Sequence, residues 1–315
     1  MPSSTVRRFT DPDDYMTMAR GAIAELTVTG RGDFAAKSAR IDLPRLWVAR
    51  YTDNLRRIVH VVRMPGRANI QFRSQPGPSV LMSGVVMEST NLLRTSEDHD
   101  AHQLSAGLAS HNTLSLSVED MASVATTMAG CDLSPPRDTV GVTPPPQAMA
   151  RLQRLQAAAM RLAEEAPEII ANPDAAHGLE QELIWAMVDC LGKGEVDEDR
   201  VARRQHNLIM RRFSRVLDEK MDQSLYITEI CKLIGVSERT LEMCCREKLG
   251  VGPKRFLLLR RLHLARRALR KAAPDAATVT DIATRYGFWH FGRFAGEYRS
   301  LFGEPPSVTL HRQPE

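Results

Sequence analysis

The sequence predicts an α+β protein in two parts. A β-rich N-terminal barrel or sandwich is followed by helices, and then comes an all-α C-terminal domain with two helix-turn-helix units joined by a long helix. Three observations carry this expectation. The first 130 residues hold short, partly alternating apolar runs cut by Gly and Pro. From Gln147 onward apolar residues recur near a 3.6-residue period. A nine-residue phrase occurs twice near the end, TEICKLIGV at 228–236 and TDIATRYGF at 280–288, 52 positions apart.

Composition sets the outer bounds. A length of 315 residues predicts about two domains, and 43% hydrophobic with 25% charged is an ordinary soluble balance. No run approaches the roughly 18 apolar residues that span a bilayer. The N-terminus, MPSSTVRRFTDPDDY, has two arginines but no apolar stretch behind them, so it does not read as a secretory signal. A cytoplasmic location without membrane contact is expected. Five scattered cysteines, Cys131, Cys190, Cys231, Cys244 and Cys245, contain no CxxC pair. They read as small buried hydrophobes rather than a disulfide framework or a zinc site, and the adjacent pair Cys244–Cys245 carries little expectation of redox chemistry.

The net charge of +4 conceals an asymmetry. Residues 200–315 hold 23 Lys and Arg against 12 Asp and Glu, a net +11, while residues 1–199 hold 19 against 26, a net −7. A basic C-terminal third on an acidic remainder points to a polyanion partner for that third.

Each element follows in order. AIAELTVTG, DFAAKSARIDL, RLWVARY, RRIVHVVRM and ANIQFRS read as strands punctuated by Gly30, Gly32, Pro65-Gly66 and Pro76-Gly77-Pro78. GRGDF at 30–34 reads as a turn. TLSLSVEDMASVATTMAG reads as a strand and then a helix, with Ser117 as N-cap. Residues 132–146 carry five prolines and read as a connector. Met149, Leu152, Leu155, Met160 and Leu162 line one helix, and Leu179, Leu183, Ile184, Met187, Val188 and Leu191 line another. The two are expected to pack on each other or on a second subunit. GKGEVDED at 192–199 reads as a flexible inter-domain linker. The expected domains are thus 1–135, a helical connector or dimerisation segment at 147–191, and 200–315.

The duplicated phrase belongs to a longer echo. In the first copy Ile227, Ile230, Leu233 and Ile234 line a short helix, Gly235 makes the turn, and Ser237 caps a helix running to Leu249. In the second, Val279, Ile282 and Ala283 line the first helix, Gly287 turns, and Phe291, Phe294, Tyr298 and Phe302 line the next. Between them PKRFLLLRRLHLARRALRKAA, opened by Pro253, has one apolar face and a dense basic complement. A helix of about 18 residues spans roughly 27 Å, suited to holding two recognition helices near the ~34 Å spacing of successive major grooves.

With these residues in view, positions 207–311 resemble the DNA-binding domain of the AraC/XylS family of bacterial transcription regulators. The two helix-turn-helix units, RRLHLARRAL, and DIATRYGFWHFGRFAGEYRSLFGEPPS carry the likeness, which is nearest to the ethanolamine-utilisation branch. The N-terminal part resembles the family's cupin-like effector or dimerisation domain in general pattern. The resemblance implies double-stranded DNA as partner, a place at the nucleoid, activation through RNA polymerase, a homodimer, a small-molecule effector of unknown site, no cofactor and no enzymatic activity.

Carried onto the family pattern, the base-contacting positions are Glu238, Arg239, Thr240, Glu242 and Met243 in the first unit. In the second they are Trp289, His290, Gly292, Arg293 and Gly296. Arg239 and Arg293 suit guanine, and Glu242 suits cytosine N4. Phosphate contacts fall to Lys232, Arg246, Lys248, Lys254, Arg255 and Arg299. Trp289 could instead pack beside the turn. Two rival readings remain at this stage. One is a ligand-independent repressor or architectural DNA binder. The other is a metal-cupin enzyme with a DNA-binding tail, drawing on His99, His102 and His111, which otherwise read as loop or pocket polar residues.

Overall fold

Alternation in the N-terminal part becomes thirteen strands in the computed structural model, which describes residues 1–73, 76–96, 100–130, 132–197, 201–220, 225–273, 275 and 277–312. The strands are β1 (Ser3–Phe9), β2 (Ala22–Val28), β3 (Ala36–Asp42), β4 (Trp47–Asp53), β5 (Arg57–Arg63), β6 (Arg67–Arg73), β7 (Val80–Met82), β8 (Val85–Met87), β9 (Leu92–Arg94), β10 (Asp100–Ser105), β11 (Ala109–Ser117), β12 (Val140–Thr143) and β13 (Glu195–Val196). They form an eight-stranded sheet, β1-β3-β4-β11-β6-β9-β12-β13, and a five-stranded one, β2-β5-β10-β7-β8, with every pairing antiparallel. The cupin-like expectation holds for the double-sheet architecture, but the sheets face each other without closing into a barrel. β1 and β13 remain as edges of the larger sheet.

The helices of this part are α1 (Pro12–Met16), α2 (Val118–Val124), α3 (Pro146–Glu165), α4 (Pro167–Ala171) and α5 (Pro173–Lys193). Ser117 caps α2 as expected, its hydroxyl accepting the Asp120 N–H at 2.9 Å. The long pair α3 and α5 is not a separate segment. Strand pleating sends Ile70 and Phe72 of β6 and Leu114 and Leu116 of β11 to the outer face of the large sheet. There they share one core with Leu152 and Met160 of α3 and Leu183 and Met187 of α5. Each such side chain contributes roughly 1.5–3 kcal/mol when fully buried, so the helices are the lid on that face. Residues 192–197 are likewise less free than a linker. Val196 pairs with Val142, and the Asp197 N–H donates to the Gly141 carbonyl at 3.0 Å. Residues 198–199 lie outside the described residues.

The C-terminal helices are α6 (Val201–Glu219), α7 (Ile227–Ile234), α8 (Glu238–Leu249), α9 (Pro253–Lys271), α10 (Val279–Arg285), α11 (Phe291–Phe302) and α12 (Pro306–His311). They build two small cores. Phe213, Ile230, Leu241, Cys244, Cys245 and Leu249 form the first, joined by Phe256 from α9. Leu262, Ala265 and Leu269 of α9 with Ile282, Phe294 and Tyr298 form the second. The connecting helix α9 is therefore structural to both units. Cys190, Cys231, Cys244 and Cys245 are buried free thiols, pushed up by burial, Cys190 to about 12, which fits packing rather than redox chemistry. Cys131 lies outside the described residues.

One contact tests the lid. The buried carboxylate of Glu180 on α5 accepts the backbone N–H groups of Arg45 and Leu46 at 2.7 and 3.1 Å, tying the helix to the β3–β4 turn. Glu180→Ala leaves those donors unpaired and is expected to lower stability by about 2–3 kcal/mol. Urea unfolding followed by tryptophan fluorescence measures this, and a change under 0.5 kcal/mol would contradict the account.

Candidate nucleic-acid interface

The two copies of the phrase fold alike because each places a glycine where the chain must turn left-handed. Gly235 and Gly287 have φ of 73° and 75°. In each, the next residue's N–H reaches back to a carbonyl of the preceding helix: Val236 to Cys231 at 3.1 Å, Phe288 to Ala283 at 2.9 Å. An L side chain at either glycine would be strained. Ser237 then caps α8 through the Thr240 N–H at 3.1 Å. The apolar side of each second helix is taken up by its core, so its opposite side faces outward.

All the sequence-predicted base-contacting positions come to these outward sides. Glu238, Arg239 and Met243 are exposed at the start of α8, with Thr240 and Glu242 half-buried. Trp289, His290, Gly292, Arg293 and Gly296 are all exposed at and before α11. Trp289 is 71% exposed and does not pack beside the turn. Phe291, expected in the core, is 42% exposed and joins the same surface, since the core needs only the α11 positions one turn apart that Phe294, Tyr298 and Leu301 supply.

The expected phosphate contacts divide. Lys232, Arg246, Lys254, Arg255 and Arg299 are exposed. Arg246 pairs with Glu242 at 2.7 Å and Arg255 with Glu297 at 3.3 Å, but pairs this open contribute only about 0.3–1 kcal/mol and open readily against phosphate. Lys248 must be removed from the set. It is 2% exposed, its Nζ donates to the Ser83 carbonyl at 3.3 Å, and it pairs with Glu247 at 2.8 Å. It docks on the β7–β8 turn instead of facing outward, because α8 packs its C-terminal end on β10.

Sequence reasoning missed what holds the two parts together. One side of α9 is a row of arginines, and a row of acids faces it. Arg266 and Arg270 bind Asp11 at 2.7 and 2.6 Å. Arg267 binds Asp13 at 2.6 Å and Glu25 at 3.0 Å. Arg260 binds Asp218 at 3.1 Å and Glu25 at 3.4 Å, and donates to the Leu217 carbonyl. His263 meets the Val28 carbonyl at 3.1 Å, and His102 meets the Ser214 hydroxyl at 3.1 Å. Burial alone would push the Asp11 and Glu25 carboxyls up. The guanidiniums, Arg266 then Arg270 at Asp11 and Arg260 then Arg267 at Glu25, outweigh it and hold both below their ordinary values. The signal was present in DPDD at 11–14, an acid run of opposite sign to the basic helix. Part of the C-terminal charge excess is thus answered within the chain.

Among the described residues His102 and His111 do not come together as metal ligands. His102 on β10 and His111 on β11 lie on strands of different sheets, not in a loop. Burial draws each down to about 3, helped by His60 beside the first and Arg57 and Arg73 beside the second, so both are neutral at pH 7. His99 lies outside the described residues. Glu25, His60 and Asp218 do converge closely enough to hold an ion, but Arg260 already donates to both carboxylates. Among the described residues no helix is long and apolar enough to cross a membrane.

Two tandem helix-turn-helix units, each presenting an exposed second helix and bridged by one shared helix, define a DNA-binding domain. Residues 230–312 match the helix-turn-helix domain family, and the chain carries an AraC-type domain of that family there. The chain is 41% identical over 98 residues to the "Probable thc operon regulatory protein" of Rhodococcus erythropolis, covering 31% of this chain and 30% of that one. It is 36% identical over 97 residues to the "XylDLEGF operon transcriptional activator 3" of Pseudomonas putida, covering 31% and 29%. It is also similar to a solved structure described as "a probable AraC family transcriptional regulator" from Rhodopseudomonas palustris, at 32% identity, covering 33% of this chain and 95% of that one with a TM-score of 0.31. The chain spans about 30% of the length of the curated relatives it matches. These relatives serve other operons, so the finer likeness to ethanolamine regulators stays an expectation.

The acid–arginine row predicts a pH response. Asp11 and Glu25 have folded-state values below the ordinary 3.8 and 4.5. Their stabilising contribution is complete above those values and is lost as pH falls through the lower folded ones. The carboxylates' share should therefore be intact from pH 7 to 5 and be lost only as pH falls below their ordinary values. Burial alone would push His60 down, but Asp100, Asp218 and Glu25 hold it above its ordinary 6.5, and it adds a share that is complete below 6.5 and lost as pH rises through its folded value. Arg267→Glu, set against Asp13 and Glu25, should undock the domains at neutral pH, at a cost of about 3–5 kcal/mol. Hydrogen exchange in β2 and α9 reports both, and unchanged protection in the variant would contradict the assignment.

Proposed function

We propose that the protein is a transcription regulator that grips an asymmetric DNA site with two recognition helices in successive major grooves. The observation that carries this reading is the paired exposure of the α8 and α11 faces on one AraC-type domain. In the first helix Arg239 reads guanine and Glu242 a cytosine, with Glu238, Thr240 and Met243 beside them. In the second, Arg293 reads guanine, and Trp289 and His290 reach phosphate, a base edge or a thymine methyl. Gly292 and Gly296 leave room for close backbone approach. Lys232, Arg246, Lys254, Arg255 and Arg299 fix the register on phosphates.

The N-terminal unit is the responsive part, taking a small-molecule effector and a second copy of the chain. The named activators among the relatives support activation, through contact with RNA polymerase, as the sign of regulation. The domain docking supports responsiveness, since α9 belongs to both DNA-binding cores and to the contact with the N-terminal unit.

Sequencing DNA fragments retained by the purified chain gives the operator. Against it, Arg239→Ala and Arg293→Ala should each lose about 1–3 kcal/mol of specific binding, roughly 5- to 150-fold, and relax the site at one position. Arg255→Ala should weaken all sequences alike and reduce the salt slope by about one. Footprints with unchanged affinity for both arginine variants would sink the base-contact assignment.

A further inference from the structure

The second helix-turn-helix unit does not stand clear of the N-terminal unit. His263 of α9 meets the Val28 carbonyl, at the end of β2, at 3.1 Å. The same imidazole packs edge-on against Phe302, the last residue of α11, with ring centroids 5.0 Å apart. The ends of β2 and α11 are thereby brought together, and the chain that leaves β2 is the GRGDF turn at 30–34. This turn and the C-terminal half of α11 form the walls of an open cleft of about 500 Å³. Arg31 and Gly32 stand on one side, and Gly296, Arg299 and Ser300 on the other.

The turn is pinned on both sides of its tip. The Thr29 and Gly30 N–H groups both donate to the Arg56 carbonyl, at 2.8 and 3.0 Å. Beyond the tip Asn54 accepts the Ala35 N–H at 2.9 Å and donates to the Asp33 carbonyl at 2.9 Å. Arg31 is held between these anchors. Both Arg31 and Arg299 are exposed, and neither has an ion pair among the described residues. No Asp or Glu is among the cleft's described lining residues. The acids on and just after α11, Glu297 and Glu304, pair with Arg255 and Arg312 instead.

Helical spacing relates this cleft to the outward side of α11. Gly292, Gly296, Arg299 and Ser300 fall on one stripe, at i, i+4, i+7 and i+8. Arg299 lies seven residues beyond Gly292, about 10 Å along the axis at 1.5 Å per residue. The major groove is about 12 Å wide. A helix that sets Gly292 and Arg293 against base edges therefore carries Arg299 to the groove wall, where the phosphates run. Arg31, across the cleft, stands at the same wall. Two guanidiniums without a counter-ion on facing walls favour an anion between them, and their forked donors suit phosphate. We propose that this cleft takes the DNA backbone, so that Arg31 of the N-terminal unit is a phosphate contact beside the second recognition helix. The inference rests on the reading of α11 as a recognition helix. It adds that DNA is held by both units, and only while they are docked.

The test is a salt titration of DNA binding by the full chain, on one retained fragment and one unrelated duplex. Arg31→Ala should weaken both alike and cut the slope of log K against log salt by about one. Its deficit at 50 mM salt should then be about three to four times that at 200 mM. Arg31→Lys should keep most of the slope. Arg161→Ala, which removes an exposed arginine from α3 on the far face of the larger sheet, should change nothing. In an Arg267→Glu background, with the units undocked, Arg31→Ala should have no further effect. An unchanged slope, tighter binding by Arg31→Ala, an equal loss in Arg161→Ala, or a full Arg31 effect in the undocked background would each overturn the proposal. An unchanged slope with an altered oligomeric state by light scattering would give the cleft to a second copy of the chain and overturn it too. If the unaltered chain holds no DNA, the regulator reading falls and takes this inference with it. If it holds DNA and only the Arg31 result fails, the regulator reading stands.

Discussion

The arrangement of this molecule depends on one electrostatic contact, the arginine side of α9 laid against acids from α1, β2 and α6. Isolated, each pair would contribute little. Here Arg266 and Asp11 are nearly buried, Glu25 serves two guanidiniums, and Asp11 serves two more. Sharing matters, because a side chain already held by one partner loses little further freedom in meeting a second. The desolvation each charge suffers is offset only while all the partners stay in place. The contact is thus closer to all-or-none than to a sum of independent bridges.

A second constraint shapes the N-terminal unit. A strand has two faces, and each strand of the larger sheet gives its apolar face to the helices. What remains for the inter-sheet side is the other half of the pleat, Arg67, Asn69, Gln71, His111, Thr113 and Ser115. Apolar burial is therefore largely provided by α3, α4 and α5, with smaller clusters at the two ends of the sandwich. That division frees the space between the sheets from its usual packing role, and it makes the helices indispensable to the sheet they cover.

Much of this was legible in the sequence, and the reasons for the limits are physical. Local signals carried the C-terminal domain: Gly235 and Gly287 mark left-handed turns, Ser237 marks a cap, and the apolar periods mark the cores. The outward positions followed, because on a short amphipathic helix what is not core is surface. Lys248 failed that logic, since a second domain covers its end of α8. Phe291 failed it from the other side, an apolar residue outside the arc its core requires. Helices α3 and α5 were legible as helices but not as part of the sheet's core, because periodicity shows that a face is apolar and not what covers it. Pairing over long separations, such as Arg267 with Asp13, leaves no local pattern beyond opposite charge.

The same helix that the acids grip also completes both DNA-binding cores, Phe256 entering the first and Leu262, Ala265 and Leu269 the second. Close-packed cores transmit displacement rather than absorbing it. β5 closes the chain of contacts on the N-terminal side. Its inward face, Val59, Val61 and Arg63, lines the space between the two sheets. Its outward face gives Ile58 to the first DNA-binding core and sets His60 beside Asp218. One strand thus separates that space from α6, and α6 in turn meets α9 through Arg260 and Asp218. On the proposed reading, coupling between ligand and DNA needs no long relay. An effector that shifts β5 would act at once on Ile58 and, through His60 and Asp218, on the acids that hold α9.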